Sequence, residues 1–143
     1  MADTSDPFDL GRFVAAQADV YAQALSEIKR GRKCSHWIWF IFPQIDGLGT
    51  STTSRFYGIK SADEARAYLS HSVLGPRLTE CSEVLLRSAA GSAEEIFGYP
   101  DYLKLRSSMT LFASVSGAGS VFEQVLAKYF DGEPDEKTLE LLK

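Results

Sequence analysis

Apolar side chains recur at three- and four-residue steps along most of the chain, which is the period of an amphipathic α-helix. This period predicts a first helix over about 9–30, ended by Gly31 in the position of a C-cap. Three later helices each begin with a serine that is followed by a glutamate three residues on, at Ser61, Ser92 and Ser120. The pattern predicts further helices at about 61–70, 76–89, 92–98, 101–115 and 120–132, and a short last helix after Pro134.

No segment alternates apolar and polar residues in the manner of a β-strand, and the sequence contains no internal repeat or linker. The length of 143 residues corresponds to one typical domain. We therefore predict an all-α fold in which residues 1–143 form a single compact domain. It is expected to contain about six to eight helices around a central aromatic segment, with residues 1–7 as a flexible N-terminal tail.

The central aromatic segment covers residues 36–44, HWIWFIFPQ, and has apolar residues on every side of the backbone. It is predicted to be a buried short helix that ends before Pro43. His36 and Gln44 bracket the aromatic residues, and the indole N–H groups of Trp37 and Trp39 need hydrogen-bond partners. Two interpretations follow: the segment is the packed core of the protein, or it forms the wall of a small-molecule pocket.

A second segment, residues 104–112, is polar in its first half and apolar in its second half. Its polar residues are Lys104, Arg106, Ser107 and Ser108, followed by Thr110. In a structural role, the hydroxyls bond back to carbonyls one turn earlier and the cations reach solvent or an acid. In a functional role, Arg106 and Lys104 form an anion-binding wall.

A dense basic run precedes the aromatic segment, and it consists of Lys29, Arg30, Arg32 and Lys33. These charges complement the negative end of the first helix, or they form a cationic lip beside an aromatic pocket. Arg55 and Tyr57 follow a glycine turn at 47–49, and we expect them to close the other side of such a pocket.

Composition limits the classes of partner. Fifteen basic and 19 acidic side chains give a net charge of −4, which disfavours binding of duplex nucleic acid through the overall charge. The N-terminal residues have no apolar run typical of a signal peptide, and no apolar stretch approaches the roughly 20 residues that span a membrane. A cytoplasmic location with no membrane partner is predicted. Cys34 and Cys81 are expected to be free, mostly buried thiols, and no motif indicates a metal or a cofactor.

The motifs at residues 36–44 and 103–112, together with Gly47-Leu48-Gly49, resemble an uncharacterised bacterial family of small all-helical proteins often labelled "calpastatin". The resemblance covers nearly the whole chain, implies a single all-helical domain and implies no reaction. The label conflicts with this sequence, because calpastatins are disordered inhibitory chains and this composition builds a core.

Two functional hypotheses follow from the sequence. In the first, an aromatic and cationic pocket binds a small anionic, nucleotide-like ligand such as ADP-ribose or another phosphate-containing molecule, with or without enzymatic processing. Its candidate ligand-binding residues are His36, Trp37, Trp39, Gln44, Arg55, Tyr57, Lys104, Arg106, Ser107 and Ser108. No catalytic nucleophile is evident. In the second hypothesis, the domain is a protein-interaction module and its polar motifs are structural. The oligomeric state is left open.

Overall fold

The computed structural model describes residues 6–143, which form ten helices around one core, so the predicted all-α class is confirmed. The flexible tail predicted for 1–7 falls mostly outside the described residues. Within them, the Asp6 carboxylate accepts hydrogen bonds from the backbone N–H groups of Leu10 and Gly11. The helices are α1 Gly11–Gln17, α2 Tyr21–Arg30, α3 Ile38–Ile41, α4 Thr52–Phe56, α5 Ala62–Ser70, α6 Leu74–Arg87, α7 Ala93–Phe97, α8 Asp101–Ser114, α9 Val121–Phe130 and α10 Glu136–Leu142.

The continuous helix predicted over 9–30 is wrong, because the chain turns at residues 18–20 and forms α1 and α2 instead. The two helices have different neighbours: α1 packs against α3, and α2 packs against α6. Gln17 ends α1 with its side chain buried, where its amide donates hydrogen bonds to the carbonyl of Phe40 and the hydroxyl of Tyr68. The predicted stop at Gly31 is confirmed by its left-handed conformation, with φ of 78°.

Helix starts agree with the capping pattern. The serine hydroxyl accepts a hydrogen bond from the backbone N–H three residues on at Ser61, Ser92 and Ser120. Helix α4 was not indicated by the apolar pattern, since none of its residues is buried. This extra helix and the division of the first one raise the number of helices above the expected six to eight.

Helix α8 lies at the centre of the described fold and contacts α3, α5, α7, α9 and α10. Residues 107–112 of this helix are all buried, which explains its lack of a pronounced polar face. Its first turn, which begins at Asp101, stays partly accessible. The end of α8 that carries Lys104 therefore faces the surface, while the following turns fill the core.

The connection from α3 to α5 is held by backbone and side-chain bonds rather than by a sheet. Gln44 and Asp46 exchange backbone hydrogen bonds with Ile59, each 2.8 Å long, and this isolated bridge fixes the position of Gln44. The Arg12 guanidinium uses all five of its N–H donors nearby, on the carbonyls and carboxylate of Phe8, Asp9, Phe56, Gly58 and Glu64. The bridge at Ile59 and the hydrogen bonds of Arg12 both fix the connection between α3 and α5.

Candidate functional site

The aromatic segment is anchored by a buried carboxylate on α2. Glu27 is fully buried and accepts five hydrogen bonds, among them one of 2.8 Å from the indole N–H of Trp37. The others come from the backbone N–H groups of Cys34 and Ser35, the Ser35 hydroxyl and the Gln23 amide. Trp37 therefore has its partner inside the protein, and its ring packs at 0% exposure against Phe42 and Phe97.

The pKa of Glu27 lies below its ordinary value of 4.5. Burial raises this pKa, but the combined hydrogen bonds from Ser35, Cys34, Gln23 and Trp37 lower it by more. The carboxylate is therefore ionised in the folded protein at neutral pH. It holds residues 34–37 in place through bonds to a charged acceptor, which are stronger than neutral ones.

Trp39, two residues further on, faces a cleft of about 420 Å³ between the α3–α4 connection and the start of α8. Four of the predicted site residues meet there, namely Trp39, Gln44, Lys104 and Ser107. The Lys104 ammonium lies 4.8 Å from the centre of the Trp39 ring, within the range of a cation–π interaction. The cleft thus combines an aromatic face, a cation and an amide, and its volume is typical of small-molecule sites.

The other lining residues of this cleft were not among the predicted site residues. They are Leu48, Gly49, Thr50, Ser51, Ser54, Pro100, Leu103 and Asp135. The uninterrupted hydroxyl run at 50–54 was the signal that could have identified the loop wall. For Asp135 no local signal existed. This residue reaches the cleft because α10 packs against α8, where Thr138 contacts Ser107 although the two are 31 residues apart in the sequence.

An ion-pair network of three charged side chains connects Trp37 with Trp39. The Asp101 carboxylate lies 2.8 Å from the ammonium of Lys33 and 3.4 Å from that of Lys104. Lys33 in turn lies 5.1 Å from the centre of the Trp37 ring, and its side chain is only 7% exposed. One carboxylate thus serves two lysines, and the more exposed lysine opens onto the cleft beside Trp39.

The remaining candidate residues lie elsewhere. His36 is exposed and does not line the cleft. Arg106 turns toward Glu133, whose carbonyl accepts a 2.9 Å hydrogen bond from its guanidinium. Tyr57 packs between Phe13 and Phe40 and borders only a small recess adjoining the cleft. Arg55 is exposed at a separate depression that also contains Arg12 and Lys60.

Ser108, the last of these candidates, is fully buried, and its hydroxyl has no hydrogen-bond partner among the described residues. Trp37 has no exposed face. Neither residue lines the cleft. The basic run is also apart from it: Arg30, Arg32 and Lys33 border a different cavity, opposite Glu94 and Glu95.

Three other cavities have volumes of about 400, 440 and 530 Å³. The first, between α8, α9 and α10, contains Glu123 and no cation in its lining. In the second, the donors of Arg12 are all used inside the protein, and Lys60 donates to the carbonyls of Arg55 and Gly58. In the third, acidic residues face the basic ones. Among these cavities, the cleft at Trp39 is the one lined by both partners of a cation–π contact, Lys104 and Trp39.

Both cysteines are free, as predicted. Cys81 is buried, and burial raises the pKa of its thiol to about 12. Cys34 is exposed, which corrects the expectation that both thiols are mostly buried. Within residues 6–143, no three His, Cys, Asp or Glu side chains are grouped as metal ligands. No helix of the same part of the chain is long and apolar enough to cross a membrane.

Comparisons with known proteins give a family but no activity. None of the curated proteins matches this chain. One solved structure, of a conserved hypothetical protein from Mycobacterium tuberculosis, has 54% sequence identity to this chain. The match includes 96% of this chain and 98% of the other chain, and the two structures superimpose with a TM-score of 0.94. A family model described as "Protein of unknown function (DUF1810)" matches residues 7–142. The chain therefore belongs to the DUF1810 family, whose function is unknown.

Proposed function

We propose that the cleft between Trp39 and Lys104 binds a small anionic ligand that carries an aromatic ring, of the nucleotide type. The ring stacks on the accessible face of Trp39, and the Lys104 ammonium neutralises the anion. Gln44 borders the same space and supplies an amide that can both donate and accept hydrogen bonds. Phosphate-containing molecules such as ADP-ribose belong to this class.

The charge balance of Lys33, Asp101 and Lys104 is the observation that carries the proposal. Asp101 carries one negative charge and lies closer to Lys33, which is almost completely buried and depends on this partner. The charge of Lys104 is therefore only partly compensated, and its side chain is 25% exposed at the cleft. An anion placed at this lysine neutralises the remaining positive charge of these three groups in a partly desolvated site, where charged hydrogen bonds are stronger than in water.

A second function is favoured by apolar residues at and beside the rim of the cleft. Leu103 is 40% exposed and lines the cleft, and Tyr99 is 75% exposed immediately before Pro100, another lining residue. Exposed aromatic and aliphatic groups beside a cleft are also typical of protein-interaction sites. A protein-interaction module is therefore the alternative, with the polar residues of the cleft in structural roles.

Calorimetric titration of the purified protein with adenosine monophosphate, ADP-ribose and inorganic phosphate tests the proposal. At least one of the two nucleotides is expected to bind, and Lys104→Met is expected to weaken that binding about tenfold or more, since it removes a charge-assisted bond. Arg106→Met is the matched control, because it removes a cation two residues away that does not line the cleft. The control should bind as the wild type does.

Two outcomes would contradict the proposed function. If none of the three anions binds at millimolar concentration, the cleft does not recognise a small phosphate-containing ligand. If the Lys104 and Arg106 variants lose affinity equally, binding depends on overall charge and not on this cleft. Melting temperatures of both variants, measured without ligand, separate a loss of binding from a loss of folding.

A further inference from the structure

The end of the cleft near α10 has hydrogen bonds whose direction can be assigned. The Asp135 carboxylate caps α10, and its Oδ2 accepts bonds from the backbone N–H and the hydroxyl of Thr138, at 3.0 and 2.6 Å. The Thr138 hydroxyl has one proton, and that proton is donated to Asp135. The 2.8 Å contact between the hydroxyls of Ser107 and Thr138 is therefore donated by Ser107.

This assignment determines what the cleft presents at that end. With its only proton donated to Thr138, the Ser107 hydroxyl has only lone pairs left for a ligand. The Oδ1 atom of Asp135 accepts no hydrogen bond from the described residues. Asp135 is half-buried where it lines the cleft, whereas Ser107 is only 2% exposed there. The α10 end therefore offers one accessible hydrogen-bond acceptor, the free Asp135 oxygen, with the lone pairs of the Ser107 hydroxyl beside it. The positive charge of the cleft is that of Lys104, whose ammonium contacts the Trp39 ring.

We infer that the Ser107–Asp135 end selects a ligand with adjacent hydroxyl groups, so that the cleft takes a ribose ring bearing a single phosphate group at the Lys104 end. This inference rests on the proposed function and narrows its substrate class. Acceptors pair with hydroxyl donors of a sugar ring, and a carboxylate is a common partner of ribose hydroxyls. A second phosphate reaching this end would lie against the Asp135 carboxylate without a donor between them, which is unfavourable.

Binding of adenosine monophosphate and its analogues tests the inference. In the wild type, 2′-deoxyadenosine monophosphate is expected to bind about tenfold more weakly than adenosine monophosphate, because one charge-assisted hydrogen bond is lost. Inosine monophosphate keeps the adjacent hydroxyls and lacks the amino group of adenine, so it should bind as tightly as adenosine monophosphate. Inorganic phosphate should bind through Lys104 alone.

Asp135→Asn is the informative variant, because asparagine is as good an N-cap as aspartate. Its amide oxygen keeps the bonds from Thr138, and a neutral N–H donor replaces the free carboxylate oxygen in the cleft. This variant should bind adenosine monophosphate about fivefold to tenfold more weakly than the wild type does. Its preference for adenosine monophosphate over the deoxy analogue should fall to about twofold or threefold. Affinity for inorganic phosphate should not fall. The control is Glu136→Gln, which neutralises the neighbouring exposed acid outside the cleft and should change neither affinity.

The result shows whether this inference fails alone or together with the proposed function. If Lys104-dependent binding is found but the ribo and deoxy ligands bind equally, the inference is wrong and the proposed function stands. If inosine monophosphate binds more weakly than adenosine monophosphate instead, the ligand group that donates to Asp135 is the adenine amino group. That result would also overturn the inference that the cleft selects ribose hydroxyls. If no nucleotide and no phosphate binds, both are wrong.

Discussion

Replacing Glu27 by glutamine removes the negative charge at the centre of the anchor that holds the aromatic segment. In the folded protein, one oxygen of this carboxylate accepts bonds from the backbone N–H groups of Cys34 and Ser35 and from the Trp37 indole, at 2.7, 3.0 and 2.8 Å. The other oxygen accepts bonds from Ser35 and Gln23. A glutamine oxygen can face the first three donors, while Ser35 and Gln23 can reorient to accept from its amide.

The cost of the Glu27→Gln change is therefore mainly the conversion of three charge-assisted hydrogen bonds into neutral ones. A bond to a charged group contributes about 1.5–3 kcal/mol, and a neutral bond about 0.5–1.5 kcal/mol. A loss of about 1 kcal/mol for each of the three gives about 3 kcal/mol at pH 7. This is a large part of the roughly 5–15 kcal/mol that stabilises a typical domain.

The difference in free energy of unfolding between the wild type and Glu27→Gln should depend on pH. Because the pKa of Glu27 is lowered by folding, its contribution is fully present above the ordinary value of 4.5 and is lost as the pH falls below it. Each pH unit below that value removes up to about 1.4 kcal/mol of this contribution from the wild type. The variant has no corresponding loss at this position, because the amide that replaces the carboxyl group does not titrate. The gap between wild type and variant should therefore narrow as the pH falls from about 4.5 to about 3.

Urea unfolding followed by circular dichroism at both pH values measures these free energies. Glu83→Gln is the control, since Glu83 is exposed on α6 and makes no hydrogen bond within the described residues, so it should change stability by less than about 0.5 kcal/mol. A cost for Glu27→Gln below about 1 kcal/mol at pH 7, or a gap that does not narrow in acid, would refute the anchoring role of the charged carboxylate.

Two further predictions concern neighbouring polar side chains and the two thiols. Ser107→Ala should lower the free energy of unfolding by about 1 kcal/mol because it removes the bond to Thr138, whereas Ser108→Ala should be neutral or stabilising because its hydroxyl is buried without a partner among the described residues; equal costs in denaturant unfolding would contradict this. Cys34 should react with a thiol reagent in the native protein and Cys81 only after denaturation, because Cys81 is buried and its thiol pKa is raised to about 12. Two thiols should titrate in the denatured, unreduced protein, and recovery of fewer would indicate a bridge.

The local signals in the sequence were sufficient for most of the helices. A serine with a glutamate three residues later predicts a helix start because both partners lie within one turn, and this holds at Ser61, Ser92 and Ser120. The break between α1 and α2 could not be read in the same way. It arises from the different packing partners of the two helices, and the apolar residues on both sides keep a helical period.

The candidate site was predictable only in part for a similar reason. Trp37 and Trp39 have the same chemistry and nearly the same place in the sequence, yet one donates to Glu27 in the core and the other faces the cleft. Their difference depends on a carboxylate ten residues earlier and on the start of α8. Asp135 reaches the cleft only through the docking of α10 on α8, which no local pattern indicates.

The two tryptophans also allow the most direct test of the central claim, that Trp39 and Lys104 form a binding cleft for an anionic ring. The chain has only these two indole groups, so a ¹⁵N-labelled sample should give two indole N–H resonances, assigned with Trp39→Phe. On titration with adenosine monophosphate, the Trp39 resonance is expected to shift and saturate, while the Trp37 resonance, bonded to buried Glu27, stays in place. If the Trp39 resonance does not move at millimolar ligand, or if Trp37 alone moves, the cleft is not the binding site.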